Sequence, residues 1–242
     1  MRSNCPPAVL LNNHLDEEVQ RILQPFHTLL TVFLSSKYRI RDNHINPNGF
    51  IFEFSGFSGL CFAFGATVYR LLKNENSGFD SNVMTNIIHY FLPAMRLLGF
   101  VTNFVLTIIH RYNNVILVLH IQRIYRSIDF SKSVDSYVLG NRITVAIILV
   151  TNGVIFTVFI TMYNGFDVLN VLFDIYFVTL DVDFIYAIRI LILLVRFLEE
   201  WIKSNKLIEE QAIDGEYSSK LRESHRYILL AYEMYKTTTQ LM

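Results

Sequence analysis

The chain has 242 residues, of which 52% are hydrophobic and 14% aromatic, with a mean hydropathy of +0.35, too apolar for a soluble domain that must cover itself with charge. Lys plus Arg and Asp plus Glu each number 21, so no basic excess points to nucleic acid. Cys5 lies in a polar leader and Cys61 in an apolar run, which argues against a disulfide framework.

Residues 1–49 lack the continuous apolar core of a cleavable signal peptide and read as an N-terminal segment with one short helix. Four segments then have the roughly 20 apolar residues that a helix needs to cross a bilayer. Phe50 to Leu72 is the first, with Glu53 near one end and Arg70 near the other; Ser55, Gly59, Ala63 and Thr67 make a thin face on it for close helix approach. Val83 to Ile109 carries Arg96 and His89. Ile143 to Tyr163 has no charge, and Val168 to Leu198 carries Asp174, Asp181, Asp183 and Arg189.

Lys and Arg set the orientation. Arg2, Arg21, Lys37, Arg39 and Arg41 precede the first span; Arg111, Arg123, Arg126, Lys132 and Arg142 fill the second connection; the tail has six more, from Lys203 to Lys236. The opposite side holds only Arg70 and Lys73. Both termini are predicted to be cytoplasmic, and residues 50–198 to form a four-helix bundle. The cluster Arg123, Arg126, Lys132 and Arg142 is expected at anionic headgroups.

Helices should continue past the bilayer. Ile121, Ile124, Tyr125 and Ile128 recur at i, i+3, i+4 and i+7, an amphipathic stripe that extends the second span. "RFLEEWIKSNKLIEE" extends the fourth, and after "DGEYSS" helical spacing resumes at Tyr227, Leu230, Ala231 and Met234. The fold class is therefore all-α: a polytopic membrane helix bundle of four transmembrane helices plus a C-terminal amphipathic helix, with residues 199–242 leading toward a further span that we expect beyond Met242.

An ionisable side chain in hydrocarbon costs several kcal/mol unless it is paired or wetted. Arg96 and Asp181 each lie thirteen residues into their spans, at similar depth, so an internal pair of Arg96 with Asp181 or Asp183 is expected. A polar floor under a ligand pocket is the other use of these charges. Arg189 is expected to reach an acidic or backbone partner two turns deeper. No Gly-rich phosphate loop, nucleophile elbow or His-Glu metal spacing occurs, so no catalysis, cofactor or metal is predicted.

"LQP" at Leu23 to Pro25, the exit "VRFLEEWIKSN" and the run "HRYILLAYEMYKTTTQL", on a chain whose N-terminus faces inward, resemble the N-terminal part of an insect gustatory receptor. The resemblance implies a seven-helix, tetrameric, ligand-gated cation channel of the cell membrane, of which this chain would supply the first four helices and not the pore-lining last one. It implies a small-molecule tastant as ligand, the lipid bilayer as surroundings and homo- or hetero-oligomers as the assembly. It also implies a pocket in the outer half of the bundle, whose candidates by depth are Asn86, His89, Tyr90, Thr157, Thr161, Asp174, Tyr176 and Thr179. An insect odorant receptor fragment or an accessory four-span membrane protein are the alternatives.

Overall fold

In a computed structural model, residues 13–75, 91–128, 130–162, 168–211 and 215–239 are described. They form seven helices and one small hairpin: α1 (Glu17–Val32), β1 (Arg39–Arg41), β2 (His44–Asn46), α2 (Phe50–Glu75), α3 (Leu92–Ile109), α4 (Arg111–Ser127), α5 (Ser131–Met162), α6 (Val168–Gln211) and α7 (Gly215–Thr239).

Helix α1 follows from its pattern. Val19, Ile22, Leu23, Phe26, Leu29 and Leu30 fall on one stripe and are all buried, while Glu17 and Glu18 occupy the first turn, where the helix dipole favours negative charge. Leu34 ends it in the left-handed region at φ 57°, a position that glycine would fill at lower cost. The Ser35 N–H closes the turn on the Leu30 carbonyl at 2.8 Å, and the reversal turns Ser35, Ser36 and Lys37 back toward the bundle.

The hairpin is an addition to the all-α expectation. Asp42 and Asn43 have φ of 52° and 59°, the two left-handed residues that a tight two-residue turn requires and that Asp and Asn tolerate best. Arg39 pairs with Asn46 and Ile40 with Ile45 in antiparallel register. Asn13 fastens the chain start to β2 through its carbonyl, which accepts from the Ile45 N–H at 2.9 Å, and its side-chain amide, which donates to Asn46 Oδ1 at 2.9 Å.

Two regions of different physical character result. Around α1, the hairpin, α4, the start of α5, the middle of α6 and α7 lies a closed core that includes Leu15, Ile45, Ile121, Phe130, Leu193 and Phe197. Tyr125 hydrogen-bonds Glu18 at 2.8 Å, Arg21 pairs with Asp135 at 3.0 Å, and Arg126 grips Asp16 through two nitrogens at 2.7 and 2.6 Å. That grip holds the Asp16 carboxyl below its ordinary pKa. Arg126 is thus paired with Asp16, and Arg123 lies 5.5 Å from the Tyr227 ring centre.

The second region is turned inside out. Phe54, Phe64, Val150, Ile155 and Phe184 are 59–65% exposed, and the apolar stretches Phe50–Tyr69 of α2 and Ser133–Val158 of α5 are only 28% and 17% buried. So much contiguous apolar surface is stable facing acyl chains and not facing water. These two helices are long and apolar enough to cross a membrane, and α3 with α4 makes a third if the bent pair counts as one span. On α2 the inward side is the thin face, with Gly59, Ala63 and Thr67 buried. α5 begins at Ser131, well before the expected start at Ile143.

The second span does not run straight into its extension. α3 and α4 meet at His110 with a 69° bend, which swings α4 onto α7, its main partner. α6 has 44 residues, about 66 Å at 1.5 Å per residue. That is more than twice the ~30 Å of hydrocarbon, so its later part continues past the apolar belt into the closed core.

Candidate functional site

The charged centre of the molecule lies where the turn after α1, the last two turns of α3 and the middle of α6 converge. Lys37 Nζ stands 3.0 Å from Asp183 Oδ1, with the two side chains 6% and 3% exposed. Of the three ammonium protons, two are donated in hydrogen bonds, to Asn103 Oδ1 at 2.9 Å and to Thr107 Oγ1 at 3.2 Å. Asp183 Oδ2 accepts the Ser35 hydroxyl at 2.7 Å and the Asn103 amide. The same amide also reaches Ser35 Oγ at 3.3 Å. Asn103 and Thr107 are one helical turn apart and therefore share a face of α3. The Lys37 ammonium is the one partner the structure shows for Oδ1 among the described residues, as an ion pair.

Asp183 thus has Lys37 as its cation, which corrects the Asp183 alternative of the expected pairing of Arg96 with Asp181 or Asp183. Asp181 and Asp183 are two residues apart on a helix, about 200° around its axis, so only one can face inward. Asp183 is buried and Asp181 is exposed, and Arg96 also lies on an exposed face of α3.

Arg189 forms a second centre. Its Nε donates to Asn141 Oδ1 at 2.7 Å, and the Asn141 amide donates to the Ile22 carbonyl at 2.8 Å, joining α6, α5 and α1. The guanidinium also stands 4.8 Å from the Tyr137 ring centre, with Arg196 at 5.5 Å, and the Tyr137 hydroxyl donates to the Arg189 carbonyl. Its side-chain partner is an amide and an aromatic face, not the acidic or backbone group expected from sequence.

A recess of about 410 Å³, open on one side, adjoins the Lys37–Asp183 centre between α3, α6 and α7. Tyr186, Asn114 and Tyr235 line it with apolar Leu106 and Ile190. The Tyr186 hydroxyl lies 3.2 Å from that of Tyr38, and burial pushes the Tyr38 hydroxyl pKa up to about 12, so this pair stays neutral.

The pocket residues implied by resemblance fare unevenly. Thr157 and Thr161 are exposed, and their hydroxyls donate to the Gly153 and Thr157 carbonyls of their own helix at 2.8 and 3.0 Å. Thr179 is fully buried, and its hydroxyl has no hydrogen-bond partner. Asn86, His89 and Tyr90 lie outside the described residues, as do the side chains of Asp174 and Tyr176. No group of three or more potential metal ligands occurs among the described residues.

Beside the centre, His27 stacks on Tyr38 with ring centres 5.4 Å apart and has Ser36 Oγ 3.3 Å from Nδ1. Burial lowers its pKa from the ordinary 6.5. The unfolded chain therefore takes up this proton first, so the linked stabilisation is complete above about 6.5 and is lost as the pH falls through that value toward the folded pKa. His27→Gln should flatten this loss. Thermal unfolding in detergent between pH 8 and pH 5 checks it; parallel pH profiles for the two chains would refute it.

No family model, curated protein or solved structure matches the chain.

Proposed function

We propose that the chain is a subunit of a gustatory-type chemoreceptor: a multi-pass cell-membrane protein with four spans and both termini cytoplasmic, taking a small-molecule tastant in the outer half of its bundle. The receptor would act as an oligomeric ligand-gated cation channel. The observation that carries this reading is the buried Lys37–Asp183 centre. Two charges removed from water gain little net stability over well-packed apolar residues, so their use here is specificity of arrangement. They tie the segment before the first span to α3 and to α6, the helix that runs from the apolar belt into the closed core. A ligand that displaces α6 near Thr179 would thereby act on every element joined at Asp183. The bend at His110 adds support, since it gives α3 and α4 a joint at which their angle can change.

Orientation is tested by reporter tags at Met1 and Met242 in intact cells. Neither should be reached before permeabilisation, and surface labelling of either would overturn the topology. The pocket is tested at Thr179. Because its buried hydroxyl lacks a partner, Thr179→Val should leave the unliganded chain as stable or up to ~1–3 kcal/mol more stable. A panel of sugars and bitter alkaloids is then screened by thermal shift on the purified chain. A saturable shift that the valine variant loses supports the tastant site; absence of any shift across the panel counts against it.

A further inference from the structure

The first turns of α2 and the last turns of α3 do not close on each other. Between them lies a slot, open on one side. Phe52, Phe100, Phe104 and Ile108 give it apolar walls, Asn103 and Thr107 line its inner side, and the ion pair of Glu53 and Arg111, Nη1 to Oε1 at 2.8 Å, stands at its edge. The two rim side chains are 24% and 36% exposed. At Gly56 the two helices come close, because a Cβ there would stand 2.9 Å from the Phe104 ring.

Three observations narrow the occupant. The slot lies beside exposed apolar residues, Phe50 at the start of α2, 79% exposed, and Ile109 at the end of α3, 61% exposed, so in a bilayer acyl chains lie next to it. Its rim lies where both helices leave the apolar stretch, the level of lipid headgroups. And the rim carries one charge of each sign. A purely anionic headgroup meets the Glu53 carboxylate, and a sterol leaves both charges unused. A zwitterionic headgroup matches both. Glu53 Oε2 is not used by the ion pair, and Arg111 Nη2 makes a weak 3.4 Å contact with the Tyr112 hydroxyl, so each side has an atom to offer.

We propose that this slot binds one phospholipid with a phosphoethanolamine headgroup, drawn from the leaflet next to the N-terminal segment. One acyl chain lies between α2 and α3, the phosphate accepts from Arg111, and the primary ammonium donates to Glu53. A trimethylammonium group has no N–H to donate, so the choline lipid binds more weakly at the same site. The proposal depends on α2 and α3 lying in a membrane and not on a sensory role, so either can fail alone.

The test uses the whole chain in nanodiscs of equimolar ethanolamine, choline and glycerol phospholipids with identical chains, followed by native mass spectrometry of the lipids that remain bound. The wild type should retain one ethanolamine lipid in preference to the other two. Glu53→Gln should abolish the preference over choline. Arg111→Gln should weaken retention of all three about fivefold, corresponding to ~1 kcal/mol for one cationic side chain at a lipid surface. Gly56→Leu, which fills the slot, should abolish retention of all three lipids. The two rim variants decide the matter should the Gly56→Leu chain not fold. Retention in the proportions of the disc, enrichment of the glycerol lipid, or rim variants that retain what the wild type retains would overturn the proposal.

Discussion

Lys37→Met is expected to destabilise the chain by about 3–5 kcal/mol, because it leaves the Asp183 carboxylate in a closed interior with hydrogen bonds but no cation. Asp183→Leu should do the same in reverse, stranding the ammonium. The double variant removes both charges, and apolar replacement of a buried pair is often neutral or stabilising, so it should recover most of the loss. All four chains are compared by expression and thermal unfolding in detergent, the coupling being the departure from additivity. A parallel cycle of Arg96→Ala with Asp183→Leu should be additive, since Asp183 is held by Lys37 at 3.0 Å. Additivity in the Lys37 cycle would show that the pair does not act as one unit.

The second large effect lies in the closed core. Phe197→Ala removes a fully buried ring that meets Phe130 edge-on at 4.8 Å, and a cavity of that kind costs about 3–5 kcal/mol. Phe184→Ala, on the same helix but 59% exposed on the apolar belt, should cost under about 1 kcal/mol in detergent, where micelle chains replace the lost contact. The comparison separates core packing from helix identity. Equal losses in thermal unfolding would mean that Phe184 is covered by protein and that the belt is not a lipid-facing surface.

What the sequence made legible depended on the range of the signal. The apolar run beginning at Phe50 and the stripe at Ile121, Ile124, Tyr125 and Ile128 need only local periodicity; the run is helical, and the stripe is helical through Tyr125, with Ile128 buried just past the helix end in extended backbone. The hairpin had a local sign that was missed, since Asp42–Asn43 is among the few dipeptides at home in a left-handed turn. Lys37 left no such sign. A lysine following a helix reads as a loop cation, and nothing local reveals that the left-handed Leu34 turns the chain inward or that its partners lie on α3 and α6. Arg96 shows the converse. Asp183 faces inward while Arg96 lies on an exposed face, and at about 100° per residue position along a helix alone does not fix which way a side chain faces. Asn103 sat unremarked in an apolar run because a neutral amide looks cheap there, yet it serves both ends of the ion pair.

The attachment of α6 at Asp183 divides that helix unequally. About 22 Å of rod lies on the Val168 side and about 42 Å on the Gln211 side, at 1.5 Å per residue. Held by Lys37 at Asp183 and by Asn141 at Arg189, the helix is pinned over about 9 Å of its middle and stiff on either side of it. A tilt about that middle would move the two ends in opposite directions, and the longer arm, where Trp201 bonds the Leu221 carbonyl at 2.8 Å, would take α7 with it.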